Sequence, residues 1–445
     1  MHDRVPISND KEDPEPRLRG IVDGCIYTVP YGIDANGEPQ TRSVLIGRVL
    51  SRSKESQGWK GLRNGNSRTR TVTIGHVLSC SKGILGRGTL VCRVECACKR
   101  GACSYKGQNG ECDWKGLQLV MKLSFLSVTR PPEAHIIKHC TDKAAELKHD
   151  WVLNHLPKVY WSFTQPFSET SVQSNLEDKL GGNYEERVLR GIIQEELFNI
   201  LELTDIREFA QVFFDILQCH EWVFKYPRVL HCDISQANIM FRRVGPKEQL
   251  HGVLNDFDLA TILDDPDYPT PSSKHRTGTK PYMAYEQQEF SWQGPLLYRH
   301  DLESIFYVIL ILVCHYRTPS KPAEKANAPY RTWFTDSYDA VSEHKHRVLS
   351  RGHWEPPVQE FFKLLGIWLE RIRFALRDGI VALETMVAEK RIAALDQTLL
   401  SSETAPFDEA EFKETFGGRF SYDVLFTIMR RFDKVDLLIK NPERL

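Results

Sequence analysis

Near residue 200 the spacing of apolar residues changes, and this limits what the chain can become. Before that point the apolar residues alternate, as in TVTIGHVLS (71–79), GTLVCRVEC (88–96) and LQLVMKLSFL (117–126). Alternation with β-branched residues predicts strands. After it they recur every three to four positions: IREFAQVFFDILQCHEWVF (206–224) places Phe209, Val212, Phe213, Ile216 and Leu217 on one face. The stretches 301–314 and 358–379 carry the same helical period. A strand-rich first part and a helix-rich second part predict an α+β protein with two lobes. A chain of 445 residues is long enough for that.

The flanking segments are less regular. Residues 1–18 read as a loose polar tail, and 51–70, rich in Ser, Gly, Asn and Arg, as a flexible excursion. PSKPAEKANAPYR (319–331) reads as a loop insertion. The N-terminal residues have no apolar core of the kind a secretory leader carries. The longest greasy run, SIFYVILILVC (304–314), falls short of the about twenty apolar residues that cross a bilayer, so it predicts a buried helix. A formal net charge of −1 gives no global pull toward nucleic acid or an acidic membrane. An intracellular protein, cytoplasmic or nuclear, fits eleven cysteines without a leader. Five of these crowd together: Cys92, Cys96, Cys98, Cys103 and Cys112. They are a zinc site or unpaired thiols in a hairpin insertion; their spacings match no common finger.

Chemistry concentrates in two polar loops of the second part. HCDISQAN (231–238) follows the apolar Val229 and Leu230, and NDFDLA (255–260) follows the apolar strand GVL. NIMFRR and GVLN, joined through Gly245 and Pro246, predict a β-hairpin, which sets Asn238 at one strand's start near Asp256 at the other's end. A carboxylate with an amide oxygen suits magnesium, which takes few protein ligands and prefers oxygen. A carboxylate left off the metal, Asp233, can orient a hydroxyl and take its proton. Read singly, these Asp and Asn residues are ordinary turn formers.

The combination resembles the protein kinase family, most closely its fungal-type members. HCDISQAN matches the catalytic loop, with Asn238 five residues beyond Asp233, and Asp256-Phe257-Asp258 matches the magnesium-binding Asp-Phe-Gly. RTGTKPYMAYE (276–286) resembles the end of an activation segment, and RHDLESIFYVILIL (299–312) the helix whose Asp, here Asp301, braces the catalytic loop.

This resemblance implies a β-rich lobe over 19–191 and a helical lobe over 192–445. It implies transfer of the ATP γ-phosphate to a protein hydroxyl, with Mg2+. Asp233 would be the base, Asn238 and Asp256 the metal ligands, and Lys122 the phosphate-holding lysine. Thr279, in the Gly-Thr pair, resembles the residue that supports Ser/Thr acceptors. Gly86 and Gly88 match the first two glycines of the nucleotide loop, with Val91 where the third would be. Glu133, with Glu146 as rival, would pair with Lys122; a solvated strand lysine is the alternative reading of Lys122. The adenine would meet backbone groups around Ile192 to Glu195.

Several positions depart from the family pattern. Cys232 replaces an arginine that in regulated kinases pairs with a phosphorylated activation segment. Ser235 stands where a lysine usually touches the transferred phosphate. Asp258 replaces glycine, and Tyr285 replaces proline. Two other functions therefore remain: a pseudokinase acting as a binding scaffold, and a small-molecule phosphotransferase of the aminoglycoside or choline kinase type. The latter enzymes lack an ending like GTKPYMAYE.

Overall fold

The computed structural model describes residues 26–33, 39–46, 68–80, 88–99, 110–166, 185–263, 265–268, 278–324, 328–395 and 409–445. The tail at 1–18, most of the 51–70 excursion, Gly86, Cys103 and residues 276–277 lie outside them. The chain divides into two compact units. One runs to Ala134 and includes Lys158–Glu196; the other takes His135–Pro157 and everything from Leu197 onward.

The first unit is built on a seven-stranded sheet. Its strands are β1 (Ile26–Ile33), β2 (Pro39–Ile46), β3 (Arg68–Cys80), β4 (Leu90–Cys96), β5 (Leu119–Ser127), β6 (Val159–Pro166) and β7 (Arg187–Glu195), in the order β1-β2-β3-β4-β5-β7-β6. Only β2 and β3 run parallel; the other neighbours are antiparallel. The alternation read from the sequence explains the core. Val72 and Ile74 from β3, Val94 from β4, Leu119, Met121 and Leu123 from β5, Trp161 from β6 and Ile193 from β7 pack into one buried cluster. Lys122, one position out of phase, falls on the opposite face of β5. Helix α1 (Glu133–Leu147) starts just after Pro131 and Pro132, which suit a helix N-terminus.

The second unit is mainly helical. Helix α2 (Ile206–Lys225) is capped by Asp205, whose carboxylate accepts the Arg207 N–H at 2.7 Å. Its Phe209, Val212, Phe213, Ile216 and Leu217 are buried. Helix α3 (Tyr298–His315) is buried all round; its second part is the apolar run expected to be a buried helix, and its first turns carry buried polar side chains. Helices α4 (Tyr338–Ser350), α5 (Gly366–Leu395) and α6 (Tyr422–Met429) follow. The helix anticipated over 358–379 is divided. Residues Glu360–Leu365 form a tight 3-10 segment, and the α-helix begins at Gly366 and runs on to Leu395. Among the described residues no helix is long and apolar enough to cross a membrane.

Five short strands of this unit decide where its chemistry sits. β10 (Ile239–Val244) and β11 (Gln249–Leu254) form the hairpin, with Ile239 opposite Leu254; β8 (Phe198–Asn199) adds to β10's other edge. β9 (Val229–Leu230) pairs with β12 (Thr261–Ile262). The loop 231–238 leaves β9 and enters β10. The loop 255–260 leaves β11 and enters β12. Both loops are thus strung between the same two ladders and have to lie side by side.

Candidate active site

In the first unit, Lys122 Nζ donates to Glu133 Oε2 at 2.8 Å, and each residue is only 5% exposed. The solvated-lysine reading therefore fails. Two opposite charges leave water together only when they meet closely, because an unmatched buried charge costs several kcal/mol, on the order of 3–5. Glu133 also opens α1, where a carboxylate is favoured by the helix dipole. Its rival Glu146 is on the surface and pairs with Lys143 at 2.7 Å. Arg190 of β7 fixes the turn that leads into α1. Its guanidinium donates to the Arg130 carbonyl at 2.6 Å and the Pro131 carbonyl at 3.1 Å. The sequence reading missed this residue.

Gly88 precedes β4 with φ +54°, and a Cβ there would press on the Phe125 ring at 3.0 Å. Glycine is the residue that meets both conditions without strain. Val91, at the place of the absent third glycine, is already in β4 and sits opposite Lys122. Ile192 to Glu195, expected to meet the adenine, form the last part of β7. Ile192 has Lys122 opposite on one side and Ser162 on the other, so its backbone groups lie within the sheet. Glu195 ends that strand; its N–H donates to the Lys158 carbonyl at 3.1 Å, and Glu196 N–H to the Gln118 carbonyl at 3.0 Å.

In the second unit Asp301 organises the loop 231–238. One carboxylate oxygen accepts the His231 N–H at 3.0 Å and the His220 ring Nε2–H at 2.9 Å; the other accepts the Cys232 N–H at 3.1 Å. Burial by itself would raise this carboxyl, but the hydrogen bond from His220 and the surrounding donors hold it below the usual carboxylate range. These bonds support Cys232 at φ +61°, a left-handed conformation that costs a non-glycine residue about 1–2 kcal/mol.

His231 ties the two loops together. Its Nδ1 accepts the Asp233 N–H at 3.3 Å and its Nε2 donates to the Asn255 carbonyl at 3.1 Å. That pattern requires the neutral ring, and burial lowers its pKa accordingly. Its ring also meets Phe257 edge to face at 4.9 Å between centroids.

The polar groups expected to act converge here. Asp233 Oδ1 accepts the Thr279 hydroxyl at 2.6 Å. The Asn238 amide donates to the Asp233 carbonyl at 2.8 Å. Asn255 N–H donates to the Asn238 carbonyl at 2.9 Å, which leaves Asp256 one residue beyond Asn238 across the open end of the hairpin. Asp256 has φ +67° and is buried. Asn238 is 1% exposed, and its side-chain oxygen has no hydrogen-bond partner among the described residues. A buried acceptor without a donor is costly. Its amide nitrogen is already committed, so the oxygen is held ready for an outside group. Asp256 follows one residue beyond Asn238 across the hairpin, and an amide oxygen and a carboxylate are both hard donors of the kind magnesium takes. Asp258, in the glycine position, is buried and lacks the positive φ that Asp256 has, so a side chain is tolerated there without backbone strain.

The segment from Gly278 is anchored on its far side. Gly278 has φ +123°, and a Cβ there would sit 3.1 Å from the Cys232 carbonyl and 2.9 Å from Met283. Glu286 binds Arg299 at 2.6 Å and also the His300 ring. Glu303 Oε1 accepts the Tyr285 N–H at 2.8 Å and the Tyr307 hydroxyl at 2.6 Å. Lys345 donates to the carbonyls of Met283 and Lys280 and lies 4.1 Å from the Tyr307 ring centre. Burial drives Glu303 upward and Lys345 downward, toward their neutral forms. The sequence reading missed His220, Glu303 and Lys345. For Glu303 a signal existed: a carboxylate inside a helix that is apolar all round has to find a buried partner.

Comparison with known proteins agrees with this geometry. A family model described as fungal protein kinase matches residues 46–314. A search of curated proteins found no match. The matched region takes in the sheet from the end of β2, the Lys122–Glu133 pair, both polar loops and α3, and the chain belongs to the fungal protein kinase family.

Proposed function

We propose that this chain is an active, magnesium-dependent protein kinase that transfers the γ-phosphate of ATP to Ser or Thr hydroxyls of a protein. The observation that carries the reading is the Asn238 side chain, with its nitrogen bound to the Asp233 carbonyl at 2.8 Å and its buried oxygen left without a partner. Asn238 and Asp256 would hold Mg2+, which when bound offsets the negative charge of the phosphates. Lys122, fixed by Glu133, would meet the α- and β-phosphates. Asp233 would orient the acceptor hydroxyl and take its proton as that oxygen bonds to the γ-phosphorus and ADP departs. Thr279, hydrogen-bonded to Asp233, supports the preference for Ser and Thr.

One feature favours the pseudokinase reading. Ser235 brings no cation to the transferred phosphate, and its carbonyl is taken up in the turn, accepting the N–H groups of Asn238 at 3.0 Å and Ile239 at 3.2 Å. The metabolite-kinase reading has no comparable support, since the anchored segment 278–286 is built to stay in place beside Asp233.

Phosphate transfer from labelled Mg-ATP to a generic basic protein separates these readings, followed by phosphoamino-acid analysis. Wild type should label Ser and Thr. Asp233→Ala should keep nucleotide binding and lose transfer by at least about 100-fold. Equal labelling by wild type and Asp256→Ala would remove the enzyme reading, and turnover of hydroxylated metabolites without protein labelling would replace it with the third.

A further inference from the structure

Of the five crowded cysteines of the first unit, three come together. The sulfur atoms of Cys96, Cys98 and Cys112 all lie within 4.8 Å of one another. None of the three is in a disulfide. Cys92 faces elsewhere: it is buried in the sheet core and its thiol points to the Met121 carbonyl at 3.7 Å. From these positions we propose that Cys96, Cys98 and Cys112 bind one zinc ion in a structural site that is separate from Lys122 and Glu133.

The surroundings hold the three sulfurs in place. Cys96 ends β4, and the backbone just beyond it is tied back to β3, where Ala97 N–H donates to the Thr71 carbonyl at 2.8 Å. The Cys98 sulfur accepts the Thr71 N–H at 3.2 Å. Such a bond suits a thiolate, which gains from each donor aimed at it. Cys112 arrives from a different direction, on a turn closed by Lys115 N–H to the Cys112 carbonyl at 2.9 Å. The next residue, Asp113, receives two hydrogen bonds from Arg70 of β3, at 2.9 and 2.7 Å. Arg70 also lies 4.3 Å over the ring of Trp114, which is buried. The Arg70–Asp113–Trp114 contacts therefore seat Cys112 against the strand whose Thr71 holds Cys98.

The donor type selects the metal. Thiolate sulfur is soft and suits zinc far better than magnesium or calcium. In a tetrahedral zinc site, with Zn–S near 2.3 Å, sulfurs stand roughly 3.8 Å apart, so closing from within 4.8 Å asks for movements of about half an ångström. The three thiolates leave the fourth tetrahedral position to a water molecule. Thiols bind the metal as thiolates, so metal entry releases their protons and binding weakens as pH falls. The metal would fasten the residues after β4 to β3 and so stiffen the strand on which Val91 faces Lys122.

The test uses the reduced full-length chain with Zn2+, and with Co2+ as a spectroscopic probe. One zinc per chain is expected. Cobalt should give an intense near-ultraviolet band from thiolate-to-metal charge transfer and the visible bands of a tetrahedral ion. Cys96→Ser, Cys98→Ser and Cys112→Ser should each weaken zinc binding by more than about 100-fold, beyond the 10–100-fold usual for residues behind the ligands. Cys140→Ala, in α1, should leave binding unchanged. Loss of zinc to a chelator should lower the melting temperature of wild type only. The proposal is overturned if cobalt gives no charge-transfer band or if the serine variants bind as wild type does. Should the serine variants fail to fold, the wild-type cobalt spectrum decides alone.

Discussion

The Tyr285 backbone N–H donates to the Glu303 carboxylate at 2.8 Å inside the protein, at a position where the family pattern has proline. The departure and the buried acid explain each other. Proline has no N–H to give. Tyr285 is the first residue of a one-turn helix, Tyr285–Gln288, a place where proline fits sterically. Comparing Tyr285→Pro with Tyr285→Ala therefore isolates the N–H from the lost ring. The proline variant should be less stable than the alanine variant by about 1–3 kcal/mol, the cost of a buried acceptor short of a donor. Chemical denaturation of both proteins checks this. Equal stabilities would mean that Glu303 does not depend on the bond.

Asp301 offers a test of the loop rather than of the segment. Its two oxygens accept from His231 N–H, Cys232 N–H and His220. Asp301→Asn turns one of those oxygens into a donor that faces donors. Cys232 then loses support for its positive φ, and Asp233, the next residue, loses its placement. The expected result is a loss of about 2 kcal/mol in stability, within the range for hydrogen bonds to charged groups. On the proposed function, kcat should fall at least tenfold with little change in the KM for ATP. Unfolding curves and steady-state kinetics on the same preparation separate the two effects. A variant with wild-type kcat would show that the loop keeps its shape without the carboxylate.

Glu286 carries a pH signature. Burial alone would raise its carboxyl, but the charges and hydrogen bonds of His300 and Arg299 outweigh that and bring it down to about 2, against an ordinary 4.5. The His300 ring, which also accepts the Leu297 N–H at 3.2 Å, is the first of the two lowering partners. Arg299, at 2.6 Å, is the second. With the folded value depressed, the stabilisation is complete above the unfolded value, near 4.5, and is lost as pH falls through about 2. At most it amounts to about 3 kcal/mol, from the factor of 1.36 kcal/mol per unit. Glu286→Gln should be less stable than wild type at neutral pH, and the gap should close toward pH 2. A gap that stays constant with pH would assign the difference to packing.

The sequence showed most clearly those parts where polar residues interrupt short apolar strands. Asp233, Asn238 and Asp256 stood out because they lie in the two short polar loops that join apolar strands. The strand alternation gave Lys122 as the residue out of phase with Met121 and Leu123, and burial of both faces of β5 is what turns that phase into an ion pair. Arg190 was not legible, since an arginine in a strand shows nothing of the two carbonyls it will reach. Lys345 sits in an ordinary amphipathic helix, and its burial comes from Tyr307 and Trp333, which are distant in sequence. Residues 192–195 show a related limit: an apolar run marks a strand, but it does not say where the strand ends. The cysteines show the same limit, because spacing alone gave no reason to separate Cys92 from Cys96, Cys98 and Cys112.

Thr279 is the most direct probe of acceptor preference. Its hydroxyl donates to Asp233 Oδ1 at 2.6 Å, so it restrains the carboxylate that would take the acceptor's proton. The φ of +123° at Gly278 and the Lys345 bonds to Lys280 and Met283 hold the threonine on both sides. Thr279→Ser keeps the hydroxyl and should retain most activity. Thr279→Val is close in shape and loses only the bond. It should lower kcat by about 10- to 100-fold, below the full 10²–10⁴-fold worth of general acid–base catalysis, because Asp233 itself remains. ATP binding, measured by titration, should be the same in all three proteins. If valine lowers nucleotide affinity as much as kcat, the hydroxyl supports the fold of the segment. If valine leaves kcat untouched, Asp233 is held by its other neighbours, and the proposed support of Ser and Thr acceptors by this hydroxyl fails.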